Sequence, residues 1–220
     1  MTRILALADE VNEALYVPEN LTRTAPDMVV SCGDLPFEYL EYVVTMLNVP
    51  LLYVPGNHDP ELIPRPRPDR VLLPVPFIRA VEPPGTSPPG PEGCKNVDGR
   101  VEDVRGLRIG GLGGSIRYRE GPNQYTQAHM RRRARRLARR ARRRGDLDVL
   151  VTHAPPLGVG DEDDRAHQGF AAFHRLARRF RLRLLIHGHI HPYGGRRPDR
   201  RMGETVVVNA VPSRIVEVGA

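Results

Sequence analysis

Short runs of aliphatic and β-branched residues recur along the chain, separated by stretches of helical spacing or by clusters of Gly and Pro. The runs predict strands at Ile4–Ala8, Met28–Ser31, Leu51–Val54, Leu107–Gly110, Val149–Thr152, Leu184–Ile186, Thr205–Val208 and Ile215–Val218. Strands that alternate with helix-like stretches are the pattern of an α/β layered domain. Helical periodicity is strongest from Gln127 to Arg144, where Met130, Ala134, Leu137, Ala138 and Ala141 form one narrow apolar stripe that should face a sheet. Phe170 to Phe180 repeats the theme, with Phe170, Phe173, Leu176, Ala177 and Phe180 inward. Between Pro60 and Pro91 lie 11 of the 22 prolines, a density that forbids regular helix and allows strand only at edges. Residues 60–91 therefore read as a long irregular loop, either a stiff surface excursion or a wall beside His58.

Polar groups cluster directly behind several strands. Asp9, Gly33-Asp34, Gly56-Asn57-His58-Asp59, His153 and Gly188-His189-Ile190-His191 would all emerge at strand carboxyl ends, where open α/β sheets place their ligands. Asp34, Asn57, His153, His189 and His191 offer oxygen and imidazole donors without a thiolate, which suits Mn, Fe or Zn better than Mg or Ca. Two such cations about 3.5–4 Å apart can share one carboxylate, activate a bridging water and hold a phosphate under in-line attack. Asp34, beside Gly33 in a tight turn, is the natural carboxylate to share.

In order and spacing these elements resemble the signature of the calcineurin-like metallophosphoesterase family, over nearly the whole chain. The resemblance implies one domain over residues 1–220, of α/β class, built as a four-layer αββα sandwich. It implies hydrolysis of a phosphate ester, a diester more than a monoester, by a metal-activated water. It also implies a first metal held by Asp9, Asp34 and His191, and a second held by Asp34, Asn57, His153 and His189. His58 would then be free of metal, placed to protonate the leaving oxygen or steady the phosphate charge, with Asp59 orienting its ring. One position departs from the pattern. The family opens Asp-x-His, whereas this chain reads Asp9-Glu10-Val11. Strand alternation would send Glu10 to the other face, and Asn12 reaches the site only after a turn. One tight and one weaker metal site are therefore expected. The competing reading is a catalytically weakened member of the same fold, serving as a scaffold or binding protein, with its first site impaired by Val11.

Weaker candidates surround this set. Gly113 to Tyr118 could bring Arg117 to a substrate phosphate, or be an ordinary glycine-rich turn. Asp161 to Asp164 and His167 could line the site or form a solvated charge run. His187 reads as a core group, His129 and His174 as surface or packing residues, Tyr193-Gly194-Gly195 as an exit from the site, and Asn209 as a hydrogen-bonding neighbour of the motifs.

Composition adds less. A net charge of +7 favours an anionic substrate, a small phosphorylated molecule on this reading. Ten arginines between Arg131 and Arg144 could bind nucleic acid, but no aromatics interleave to stack on bases, so a solvated helix face is favoured. Cys32 and Cys94 offer no disulfide framework and too few thiols for a structural zinc site. No apolar run approaches the roughly 20 residues of a membrane span, and residues 1–9 lack a signal-peptide h-region, so a cytoplasmic location without membrane contact is expected.

Overall fold

The computed structural model describes residues 1–62, 90–195 and 197–219. In chain order the first part holds β1 (Thr2–Leu7), a 3-10 turn at Glu13–Tyr16, α1 (Pro18–Arg23), β2 (Met28–Ser31), α2 (Phe37–Leu47) and β3 (Leu51–Tyr53). Then come β4 (Lys95–Asn96), β5 (Val101–Val104), β6 (Leu107–Leu112), β7 (Ser115–Ile116), β8 (Gln124–Tyr125) and α3 (Gln127–Arg143). The last part holds β9 (Val149–Thr152), α4 (Ala172–Phe180), β10 (Leu184–His187), β11 (Arg200–Met202), β12 (Thr205–Asn209) and β13 (Ser213–Val218).

The strands form a five-stranded sheet in the order β13-β1-β2-β3-β4, a six-stranded sheet in the order β11-β12-β10-β9-β6-β5, and a small β7-β8 pair. In the first, β1, β2, β3 and β4 run parallel; in the second, β12, β10, β9 and β6 do. Strand alternation assigns the two faces of each sheet. Ile4, Ala6, Met28, Val30 and Leu52 of the first sheet meet Ile109, Val149, Val151, Ile186 and Val208 of the second in one apolar layer. The opposite residues, Leu5, Leu7, Val29 and Leu51, pack under Leu21 of α1 and Tyr39, Leu40 and Val43 of α2. Leu150, Leu185 and Val207 of the second sheet pack under α3 and α4. Four layers result, helix, sheet, sheet and helix, as expected for the αββα class.

All eight predicted strands are present, two with the same ends and the others with ends shifted by one or two residues. The predicted stripe of α3 is buried in full. Phe170, expected to open the following helix, lies before it and is fully buried where Pro156 and Phe170 bridge. Phe37–Leu47 is rich in the aromatic and β-branched residues that suit strands, yet it is helical because Tyr39, Leu40 and Val43 then share one face on the first sheet. Of the proline-rich loop predicted at 60–91, residues 63–89 lie outside the described residues. Among the described residues no helix is long and apolar enough to cross a membrane.

Candidate metal centre

The parallel strands of both sheets deliver their carboxyl ends to one edge. Asp9 follows β1, Asp34 follows β2 and Asn57 follows β3; His153 follows β9, and His189 and His191 follow β10. The turns that follow are tight and held by backbone bonds, Asp9 N to Gly33 O (3.1 Å) and Gly188 N to His153 O (3.0 Å). Asp9, Asp34 and His189 all take left-handed φ values, 59°, 57° and 67°. Non-glycine residues held there cost on the order of 1–3 kcal/mol each, a strain that clusters at functional sites. Two glycines of the motifs make room for carboxylates. A Cβ on Gly56 would lie 2.1 Å from Asp34 Oδ1, and one on Gly188 would lie 2.3 Å from Asp9 Oδ2.

The fully buried His153 sits at the centre. Its Nδ1 donates to Cys32 O at 2.8 Å, which leaves Nε2 facing Asn57 Oδ1 at 2.9 Å and Asp34 Oδ2 at 3.3 Å. The amide of Asn57 is turned by its Nδ2, which donates to Tyr118 Oη at 3.4 Å. Three lone-pair atoms thus converge from opposite sheets on one spot, an arrangement that repels itself unless a proton or a cation lies between them. Burial alone would lower the pKa of His153, but the carboxylates of Asp34 and Asp9 override it and raise it to about 9. His189 Nε2 donates to Ala166 O at 2.8 Å, and burial beside His153 pushes its pKa down to about 3, so its Nδ1 keeps a free lone pair. Asp9 accepts from His189 N at 2.8 Å, yet loss of solvent raises its pKa to about 6. Burial acts to raise Asp34 as well; the charge and hydrogen bond of His153 and the His58 N–H outweigh it and hold the carboxyl below its ordinary value. Donor atoms of Asp9, His153 and His189 lie within 4.8 Å of one another. Oxygen and imidazole donors in this proximity, short of positive charge, fit divalent cations.

Asp34 Oδ1 accepts from His58 N (2.8 Å) and Asp59 N (3.2 Å), so the carboxylate is fixed by one oxygen while the other faces His153. Of the predicted ligands, Asp9, Asp34, Asn57, His153 and His189 come together. His191 lies close enough to Asp9 to bear on its carboxyl and pairs through Nδ1 with Glu10 Oε1 at 2.6 Å. The expectation that Glu10 faces away is therefore corrected. The strand ends at Leu7, and the left-handed turn at Asp9, closed by Glu10 N to Ala8 O at 2.6 Å, cancels the alternation. Asn12 does not reach the site: its Nδ2 donates to Ser213 Oγ and its Oδ1 caps the Glu13–Tyr16 turn. Val11 packs against the helical face of the first sheet.

The profile of the calcineurin-like phosphoesterase family matches residues 3–193. The chain belongs to this family. Membership implies metal-dependent phosphoester hydrolysis, and thus a divalent-metal hydrolase. The solved structure of TT1561 from Thermus thermophilus is similar in fold, with a TM-score of 0.56 at 17% identity over 95% of this chain and 88% of that one. The sulfate thiohydrolase SoxB of Thermus thermophilus, in complex with glycerol, matches at a TM-score of 0.35 and 18% identity, over 90% of this chain and 29% of that one. Among curated proteins none matches.

Around the phosphoesterase ligand set, two expectations change. Asp59 does not hold the ring of His58; its Oδ2 accepts from Asp34 N (3.0 Å) and Gly56 N (2.8 Å), so it braces the turns that carry the ligands. Arg119 meets the ring instead, with Nη2 3.2 Å from His58 Nδ1. Arginine only donates, so Nδ1 accepts and the ring hydrogen sits at Nε2. Arg117, expected at the substrate, is exposed, and its backbone N pairs with Tyr125 O at 2.9 Å. The glycine-rich turn thus brings Tyr118 and Arg119 to the site, a choice that one residue of register decides. The 161–167 segment reaches the site by its backbone through Ala166 O, and the His167 ring lies 5.2 Å from that of His189. His187 is buried, with Nδ1 donating to Gly188 O at 2.9 Å, and Asn209 Nδ2 donates to Ile190 O at 2.6 Å. His129 is exposed on α3, and His174 bonds Leu157 O. Both lie off the site.

Proposed function

We propose that this protein hydrolyses a phosphodiester, with a first divalent cation held by Asp9, Asp34 and His191 and a second by Asp34, Asn57, His153 and His189. The observation that carries the reading is the convergence of Asp34 Oδ2 and Asn57 Oδ1 on His153 Nε2, at 3.3 and 2.9 Å, three ligand atoms that only a proton or a cation can hold together. When bound, the cations lower the pKa of a water and take up phosphate charge. The remaining work falls to the side chains. Asp34, tied by Oδ1 to the His58 and Asp59 N–H groups, keeps Oδ2 turned toward His153. Cys32 O and Ala166 O hold the rings of His153 and His189 so that Nε2 of one and Nδ1 of the other point inward. His58, exposed at the rim, presents Nε2–H to a phosphate or leaving-group oxygen while Arg119 fixes its tautomer.

Preference for a diester rests on charge. Beside the ligands, the guanidinium of Arg119 reaches the rim through His58; among the described residues it is the one guanidinium on that ring, which suits a monoanionic diester better than a monoester with nearly two negative charges. The O/N donor set favours Mn, Fe or Zn over Mg, and a sequence with two cysteines, too few for a disulfide framework, agrees with a cytoplasmic home. A second reading, a weakened scaffold, is favoured by Val11 alone, which takes the place of an imidazole and packs into the apolar cluster. The test is turnover of bis(p-nitrophenyl) phosphate against p-nitrophenyl phosphate with added Mn²⁺. Faster Mn-dependent turnover of the diester is expected; turnover of neither by the metal-loaded protein would support the scaffold.

A further inference from the structure

The residue that replaces the family's missing imidazole is not at its position. Val11 is turned into the cluster under the helices of the first sheet, and the amide of Asn12 is spent on Ser213 and Ala14. Glu10 precedes both in sequence and points the other way. The bond from Glu10 N to Ala8 O spans a three-residue turn centred on Asp9 at φ 59°, and this reversal throws the Glu10 carboxylate across the seam between the sheets to His191. Its Oε1 lies 2.6 Å from His191 Nδ1. A carboxylate only accepts, so Nδ1 carries the hydrogen and Nε2 keeps its lone pair. The main chain on either side is pinned as well, with Asn209 Nδ2 donating to Ile190 O at 2.6 Å and Arg197 Nη2 donating to His191 O at 3.3 Å. The ring is thereby set in one tautomer and one orientation.

We propose that Glu10 is the positioning residue of the first metal position, where it substitutes for the missing ligand at one remove. It locks His191 with Nε2 free for the cation, as carboxylates do for metal-binding histidines, and adds a negative charge next to Asp9 and Asp34. The inference rests on the metal reading above. Its rival is an ordinary surface ion pair, since the side chains are 50% and 38% exposed, and such pairs contribute little.

Glu10→Ala and Glu10→Gln, compared with the unmodified protein by Mn²⁺ calorimetry, separate the two. The expected result is a weaker-binding ion whose affinity falls about 10–100-fold in Glu10→Ala, with the tighter ion unchanged. Glu10→Gln, which keeps an acceptor but loses the charge, should fall between. Ring ¹⁵N shifts of His191 in metal-free protein give an independent readout: an Nδ1–H tautomer before substitution, a tautomer mixture in Glu10→Ala. Two ions bound with unaltered affinities in Glu10→Ala overturn the role of Glu10 and leave the metal reading standing. An unmodified protein that binds only one ion also overturns it, and one that binds none removes the metal reading too.

Discussion

Gly188→Ala tests whether the carboxylate of Asp9 fills the space a side chain would need. The φ of Gly188 is not in the left-handed region, so alanine there meets a steric problem alone. Its methyl would sit 2.3 Å from Asp9 Oδ2 and 2.7 Å from Ala8 Cβ, against ordinary contacts of 3.4–4 Å. Asp9 must then retreat by about 1 Å, which breaks the 2.8 Å bond from His189 N. A hydrogen bond to a charged group is worth about 1.5–3 kcal/mol, and overpacking a tight site costs about 1–3 kcal/mol. The two overlap, so a loss of about 2–4 kcal/mol is expected in urea unfolding of the metal-free protein. The same retreat withdraws one donor from the first metal position, so the weaker ion should vanish from the stoichiometry measured by plasma mass spectrometry after desalting. Gly195→Ala, with no described atom within 4 Å of its Cβ, is the control. If Gly188→Ala unfolds within about 0.5 kcal/mol of the unmodified protein, as a neutral surface change does, and keeps both ions, the steric reasoning is wrong.

Three other outcomes are expected. Asp34→Asn should empty both metal positions, since its carboxylate belongs to both proposed ligand sets, and full metal content after dialysis would contradict the shared role. His58→Ala should keep its metal content while kcat on an aryl phosphodiester falls about 10²–10³-fold, the loss typical of a donor aimed at developing charge; loss of metal instead would make His58 a ligand. Asp148 accepts from Arg108 N (2.9 Å), Nε (2.9 Å) and Nη2 (3.3 Å), and although burial acts to raise its pKa, these bonds hold it below the ordinary value. A depressed carboxyl stabilises the fold above its unfolded pKa of about 3.9 and stops doing so as pH falls through the folded value. Urea unfolding should therefore show Asp148→Asn weaker than the unmodified protein at pH 7, with the gap closing toward pH 3; a gap constant with pH would refute the linkage.

What was legible in the sequence is what chain direction controls. A parallel strand ends where its apolar run ends, so the residues after Ala8, Cys32, Val54, Thr152 and His187 had to emerge at one edge, and the ligand set followed. What was hidden depends on single backbone torsions and on main-chain partners. Glu10 could not be placed because alternation fails at a left-handed Asp9, a conformation that sequence pattern does not announce. Arg119 was overlooked in favour of Arg117 because two residues in one turn differ only in where the short β7-β8 pairing lets them point. Ala166 left no signal at all, since its contribution is a carbonyl oxygen. Asp59 carried a false one: a carboxylate next to a histidine suggests a ring partner, but the turns around Gly56 and Asp34 offered it backbone N–H groups first.

The apolar layer between the sheets has a mechanical consequence. Asp9, Asp34 and Asn57 hang from one sheet and His153, His189 and His191 from the other, so the ligand atoms keep their spacing only while the two slabs keep theirs. Any cation bound there is a rivet through the seam. It should raise the resistance of the fold to unfolding by RT ln(1 + [L]/Kd), and a chelator should loosen the sheets against each other before it melts either one. In the reverse direction, a change such as Ile186→Val or Val208→Ala, deep in that layer and touching no ligand, should detune the ion's affinity by letting the slabs settle closer together.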